Sequence, residues 1–170
     1  MLIRRKLLTW SVLAVAGGAL LTGCGFKLRS SQNFAFETVA VTPEQGAGVA
    51  AELTRYLGDA VRPVAPRDGG APPQAIVDIL QESREKTVVG VNASGQVREF
   101  QLRIKVRFRM RTPKGVELIA PTDIVQQRDI SFSESAVLAK EAEEALLYRD
   151  MQSDIVQQLL RRLAAVKQID

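Results

Sequence analysis

The sequence predicts an α/β fold, a two-layer sandwich of a four-stranded mixed sheet with two helices on one face. Three observations predict it. Residues 100–111 alternate between apolar and polar side chains without a miss, the period of a strand with two unlike faces. Residues 137–166 repeat their apolar positions at helical spacing. The patterned segments follow one another as strand, helix, strand hairpin, strand, helix, with no internal repeat, and two helices on one side of a sheet make a two-layer body.

The elements follow in chain order. Arg4, Arg5 and Lys6 precede an apolar run, Leu7 to Leu21, interrupted only by Thr9 and Ser11. About 15 residues is short of the ~20 that a membrane span requires, so the run is expected to be a signal peptide. Leu21-Thr22-Gly23-Cys24 resembles the lipobox of bacterial lipoproteins, in which an aliphatic and two small residues lead to a lipidated cysteine. The alternative is a plain secretory peptide with an incidental cysteine. The expected organisation is a signal peptide over 1–23, a lipidated tether over 24–33 and one domain over 34–170.

Within the domain, Phe34 to Thr42 is apolar and β-branched, and Pro43 ends it as a strand. Val49, Leu53, Tyr56, Leu57 and Ala60 give a helix over 48–61, with Glu52 and Arg55 on its outer side. Four prolines and two glycines between Arg62 and Pro73 make a loop. Ala75 to Val91 reads as a long strand with Ala75, Val77 and Ile79 on one face and Ile76, Asp78 and Leu80 on the other. Its charged stretch Glu82 to Lys86 belongs on an exposed edge or at a bend. Asn92-Ala93-Ser94-Gly95 is a hairpin turn, Thr112-Pro113-Lys114-Gly115 a second turn, and Val116 to Phe132 a strand in which Pro121 demands an edge or a bulge. The terminal helix, 137–166, carries Leu138, Ala142, Ala145, Met151, Ile155, Leu159 and Leu163 on its apolar stripe. Ser133 or Ser135 would cap its start, and Arg161 and Arg162 suit its negative end.

Composition narrows the function. Without Arg4, Arg5 and Lys6, 20 of the 23 basic residues face 19 acids, leaving +1 over 147 residues, so the basic balance of the whole chain does not argue for nucleic acid. There is no histidine, and the one cysteine is assigned to lipid, which removes His/Cys metal sites, histidine triads and internal disulfides. No G-x-S-x-G and no phosphate-cradling glycine loop occurs. Neither an enzyme nor a cofactor is expected, apart from covalent N-acyl and diacylglycerol lipid on Cys24. That lipid exceeds the two signals needed for stable membrane anchoring.

The chemistry concentrates in the third strand, where Arg103, Lys105, Arg107, Arg109 and Arg111 extend over roughly 27 Å of one face. Two readings stand. The row is a solvated face with interstrand ion pairs, supplied by Glu82, Glu85, Glu117 and Asp129, or it is a surface for phosphorylated lipid or an acidic protein wall, since guanidinium forks match phosphate oxygens. In both, the apolar side of 100–110 packs beneath the helices and the cations point away.

Several stretches together resemble the LptE family of lipopolysaccharide-assembly lipoproteins. They are Cys24-Gly25-Phe26-Lys27-Leu28-Arg29, the turn Asn92-Ala93-Ser94-Gly95-Gln96 leading into Glu99-Phe100-Gln101-Leu102, and Val137-Leu138-Ala139-Lys140-Glu141 with Gln158 to Leu163. The resemblance implies an outer-membrane lipoprotein lodged in the lumen of the transport β-barrel LptD, which it plugs and helps assemble, and a binder of lipopolysaccharide. Gly25 after the cysteine is similar to the pattern exported to the outer membrane. By position Lys140 matches a family contact to lipid A phosphates, and Arg128 is its expected neighbour. The family's basic residue near the hairpin turn has no counterpart, since Val91 and Asn92 stand there. Arg103, Lys105 and Arg107 are the available substitutes. A carrier or assembly adaptor of the same layered fold is the alternative.

Overall fold

The structure is a computed structural model and describes residues 32–66 and 69–169. The signal peptide over 1–23, Cys24 and most of the tether lie outside the described residues. From Gln32 onward the chain runs through β1 (Val39–Thr42), α1 (Gly48–Leu57), a 3-10 turn (Gly58–Ala60), β2 (Ala75–Val91), β3 (Val97–Arg111), β4 (Glu117–Ser131), a second 3-10 turn (Glu134–Ala136) and α2 (Val137–Ala164).

The strands lie in the order β1-β2-β3-β4. β1 and β2 are parallel, and the other two pairs are antiparallel. A parallel pair cannot be closed by a tight turn, and α1 with the proline-rich loop supplies the crossover. α1 rests on β1 and β2, while α2 rests on β3 and β4 and against α1. Leu102, Ile104, Val106, Phe108 and Met110 of β3 are all fully buried beneath this roof. The predicted two-layer architecture, with both helices on the apolar side of a mixed sheet, is the one observed.

Three elements are shorter or packed differently than their patterns suggest. β1 starts at Val39 instead of Phe34 because the residues that would pair with its beginning include Pro72 and Pro73, which carry no N–H. The Gln74 side chain takes over, accepting the amides of Glu37 at 2.6 Å and Thr38 at 3.4 Å. Phe34 and Phe36 instead stack on each other, 4.9 Å between centroids. α1 ends at Leu57, where Gly58 takes φ 54, and Glu52, expected on its outer side, is buried and accepts a 2.6 Å bond from Gln152 of α2. In α2, Met151, Ile155, Leu159 and Leu163 are buried as the stripe requires, but Leu138 is 82% exposed and Ala142 and Ala145 lie in solvent. At 28 residues the helix spans about 42 Å, and only its later turns lie on the core. Ser133 and Ser135 do not cap it; their hydroxyls bond each other at 2.9 Å.

A bulge decides what β2 presents. Ile79 pairs with Phe108 and Gln81 with Arg107, so Leu80 is an extra residue. Before it, Ala75, Val77 and Ile79 face the helices; after it the faces exchange, and Glu82, Arg84 and Lys86 turn toward the helices. Because β1 covers only residues 75–78, the rest of β2 is an edge, as its charges predict. Pro121 satisfies both expectations at once: β4 is an edge strand, and Ala120 and Pro121 together oppose Arg109 in a second bulge.

The two turns are built alike. The Asn92 side chain accepts the Ser94 and Gln96 amides at 3.0 and 2.9 Å, and Gly95 takes φ 78. In the second turn Thr112 Oγ1 accepts the Val116 amide at 3.1 Å, and Gly115 takes φ 91. Each couples a side-chain oxygen at the first position to a glycine in the left-handed region.

α1 has no capping side chain of its own, its N-cap being Ala47. Glu82 of β2 supplies the missing acceptor, taking the Val49 amide on Oε2 at 2.9 Å and placing a negative charge at the positive end of the helix. The carboxylate fits only because residue 48 is glycine: its φ is +58, and a Cβ there would come within 2.5 Å of Glu82 Oε1. We expect Glu82→Ala to lower stability by about 1 kcal/mol and Gly48→Ala by about 2 kcal/mol. Urea midpoints measure both. In the double variant the clash is gone, so the losses should sum to less than their total; full additivity would separate Gly48 from the cap.

Candidate functional site

The alternation of β3 sends its odd-numbered side chains to the uncovered face, and Arg103 and Arg107 are exposed there with Lys105 half-buried. None of the three is sealed beneath a helix. The acids that offset the row are not those the sequence suggested. Asp78 accepts Arg109 Nε at 2.7 Å and Arg111 Nε at 2.8 Å, and Asp123 lies 3.0 Å from Lys105 and 3.9 Å from Arg107. Glu82 has been carried to the other face by the Leu80 bulge, and Asp129 accepts the Gln101 amide at 3.1 Å. Glu85 and Glu117 stand opposite Arg103 and Arg111 without joining an ion pair among the described residues. Asp78 and Asp123 therefore hold two cations each, and Arg103, with Glu85 across from it, joins no ion pair among the described residues. Glu85, Glu117 and Asp129 lie on the same face, so the five cations of the row are matched in number by five acids, of which two are in ion pairs with it.

Asp78 is the most constrained of these groups. Burial alone would push its carboxyl up, but hydrogen bonds from Arg111, Arg109 and Thr42 outweigh it and hold the group down at about 2, from 3.8. The same contact raises the Arg111 guanidinium above its ordinary value.

A second cluster forms on the helix side, where β2, β3 and β4 reach the start of α2. Lys140 donates to Ser131 Oγ at 2.9 Å and to Glu143 at 2.8 Å. Lys86, aimed here by the bulge, donates to Glu144 at 2.6 Å and lies 4.4 Å from the centroid of the Phe100 ring. Phe100 meets Phe132 edge to face at 5.3 Å. The two lysines, the two phenylalanines and Val137, with the acids Glu141 and Glu144, line one small cavity of about 60 Å³. Two exposed apolar residues adjoin its lining, Val88 opposite Phe100 in the ladder and Leu138 next to Val137 in the chain. Cations therefore meet an uncovered apolar surface at this end of the domain.

The residues singled out from sequence do not form one site. Lys140 belongs to this cluster. Arg128 does not: its guanidinium reaches Asp154 at 3.1 Å, fourteen residues along α2 from Lys140 or about 21 Å of helical rise. Arg103, Lys105 and Arg107 are on the opposite face of the sheet. Lys86 was not singled out, because a straight reading of β2 places it on the open face, and Leu80, at the end of an apolar-rich stretch, does not mark the bulge. Among the described residues no group of His, Cys, Asp and Glu is arranged to hold a metal ion.

Comparison with known proteins gives a consistent picture. The model of the LptE family, described as lipopolysaccharide-assembly, matches residues 36–163. The solution structure of an uncharacterized lipoprotein B from Nitrosomonas europaea is 36% identical, with a TM-score of 0.67 over 83% of this chain and 91% of that one. The rare lipoprotein B of Shewanella oneidensis shares the fold at 20% identity and TM-score 0.59, covering 75% of this chain and 92% of its own. A minor lipoprotein from Acinetobacter baumannii does so at 19% identity and TM-score 0.59, over 78% and 94%. Among curated proteins none matches in sequence. The chain belongs to the LptE family of lipopolysaccharide-assembly lipoproteins.

The Asp78 clamp makes a pH prediction. A carboxyl whose value is lower folded than unfolded adds stability above its unfolded value and loses it as pH falls through the folded one. Asp78 should thus contribute about 2 kcal/mol above pH 4, fading between pH 4 and pH 2. Asp78→Asn should lower stability at pH 7 and flatten that acid limb in urea titrations; an unchanged limb would remove the clamp.

Proposed function

We propose, on the premise of that membership, that the chain is an outer-membrane lipoprotein held by lipid on Cys24, that it sits within the lumen of an LptD-like β-barrel, and that it binds lipopolysaccharide at the end of the domain where Lys86 and Lys140 meet. The observation that carries the lipid contact is the juxtaposition at that end. Two ammonium groups, each paired with a glutamate, flank a phenylalanine-lined cavity beside the uncovered Val88 and Leu138. A phosphorylated lipid offers both halves of this chemistry, anionic oxygens for the lysines and hydrocarbon for the apolar rim.

Arg103, Lys105 and Arg107 take a different role in this reading. They lie on a broad strand face, away from that rim, and suit the acidic side chains of an enclosing barrel wall. Arg103, exposed and in no ion pair among the described residues, is the strongest candidate for such a contact. The free face of the sheet and the lysine end then serve separate partners.

Charge reversal separates them. Lys86→Glu with Lys140→Glu should weaken lipopolysaccharide binding by the full chain about tenfold or more, with barrel co-purification unchanged. Arg103→Glu with Arg107→Glu should do the reverse, lowering the share of chain retained on the barrel through detergent washes. Equal lipopolysaccharide affinity in the lysine variant would remove that end from the lipid site. Failure of the wild-type chain to bring down any β-barrel protein would sink the plug reading.

A further inference from the structure

A larger cavity, about 210 Å³, opens between the start of β3 and the connection from β4 to α2. Gln96, Val97, Arg98, Ser133, Glu134 and Ser135 line it, and none of them takes part in the lysine cluster. The two spaces are neighbours in the chain: Ser131 and Phe132 line the smaller one and Ser133 to Ser135 the larger. The walls are tied together, since the Phe132 amide donates to the Arg98 carbonyl at 2.7 Å.

The polar groups here are underused. The Arg98 guanidinium reaches only the Gln96 side chain, at 3.3 Å, and joins no ion pair among the described residues. Ser133 and Ser135 are 2.9 Å apart, so one hydroxyl donates to the other and one proton is left to give. Glu134 adds a carboxylate with no cation among the described residues. A bare phosphate would suit Arg98 but be repelled by Glu134. A phosphorylated sugar satisfies both, its phosphate on the guanidinium and its ring hydroxyls donating to the carboxylate and sharing the serine hydroxyls. The volume is below the roughly 300–1,000 Å³ of pockets that enclose drug-sized ligands, which fits one ring of a headgroup and not a whole lipid.

We propose that this cavity is a second headgroup subsite that takes a phosphorylated sugar, with Arg98 on the phosphate and Ser133, Ser135, Gln96 and Glu134 on the ring. The inference rests on the lipopolysaccharide reading of the neighbouring lysines. It places the anion of one sugar unit beside Arg98 while Lys86 and Lys140 hold another anionic group across the Phe132 connection.

The test titrates the ¹⁵N-labelled full chain in detergent with glucosamine 1-phosphate, with glucosamine and inorganic phosphate as separate arms. The amides of Val97, Arg98, Ser133 and Ser135 should shift saturably with the sugar phosphate, and each simpler probe should bind about tenfold more weakly. Arg98→Gln, at an exposed position, should raise the sugar-phosphate Kd about tenfold and leave distant amides in place. Silence at those four amides, an unchanged Kd in R98Q, or inorganic phosphate binding as tightly as the sugar phosphate overturns the subsite. If the subsite fails while Lys86→Glu with Lys140→Glu still weakens lipopolysaccharide binding, only this inference falls. If that variant also binds normally, the reading beneath it falls too.

Discussion

The strict alternation of β3 is the constraint on which the rest of the structure depends. It puts Leu102, Ile104, Val106, Phe108 and Met110 on one side, and burying each contributes about 1.5–3 kcal/mol relative to leaving it in water. That side must therefore be roofed, and α2 with its Met151, Ile155, Leu159 and Leu163 is the roof. The same alternation forces Arg103 to Arg111 onto the other side. A row of cations at strand spacing cannot stand unopposed, so Asp78 and Asp123 are held in the adjoining strands. Slipping β3 by one residue would bury guanidiniums under α2 and expose the core, which is why the register has no near competitor.

How much of this was legible in the sequence follows from which forces act locally. Periodicity reports burial of a face, and burial fixes β3, the order of elements and the later turns of α2 as the sequence predicts. It fails where a feature depends on a distant partner. Glu52 looks like an outward residue of a short amphipathic helix, and only Gln152, 100 positions later, makes its burial tolerable. The first turns of α2 keep the apolar pattern of Leu138, Ala142 and Ala145, yet Val137, Lys140, Glu141 and Glu144 are the residues turned to the sheet there, so the predicted stripe lies in solvent. The lost beginning of β1 is a matter of its neighbour's prolines, not of its own β-branched residues.

The Leu80 bulge is the instructive case for the candidate site. Leucine at position 80 continues the apolar-rich beginning of β2 and gives no local sign that it is surplus. Yet the insertion inverts the side chains that follow it up to the next irregularity after Val88, sending Glu82 to the N-terminus of α1, Arg84 to a 2.6 Å bond with Gln152 and Lys86 to the cavity beside Lys140. One extra residue thus completes a helix cap and brings a second cation to the lysine end. The resemblance pointed to Lys140 because its neighbours follow a family pattern, and it could not point to Lys86, whose place beside Lys140 depends on a count of residues in a ladder.

The strengths of the ion pairs argue for dividing the two charged regions between different partners. Lys140 is held by an exposed i,i+3 pair with Glu143, and such pairs contribute about 0–1 kcal/mol. An incoming phosphate can displace Glu143 at little cost, because a doubly charged oxyanion offers more than the single carboxylate it replaces. The Asp78 clamp is another matter. Its carboxylate is nearly buried and accepts from two guanidiniums and a hydroxyl, and freeing Arg109 or Arg111 for a ligand would leave that charge underpaired, a loss of about 3 kcal/mol or more where the site is dry. Arg109 and Arg111 are therefore structural, fastening β3 to β2. Only Arg103 and the loosely shared Lys105 and Arg107 remain available on that face, fixed in position by the strand and suited to a rigid surface, whereas the lysines, on flexible stems beside open hydrocarbon, suit a ligand that comes and goes.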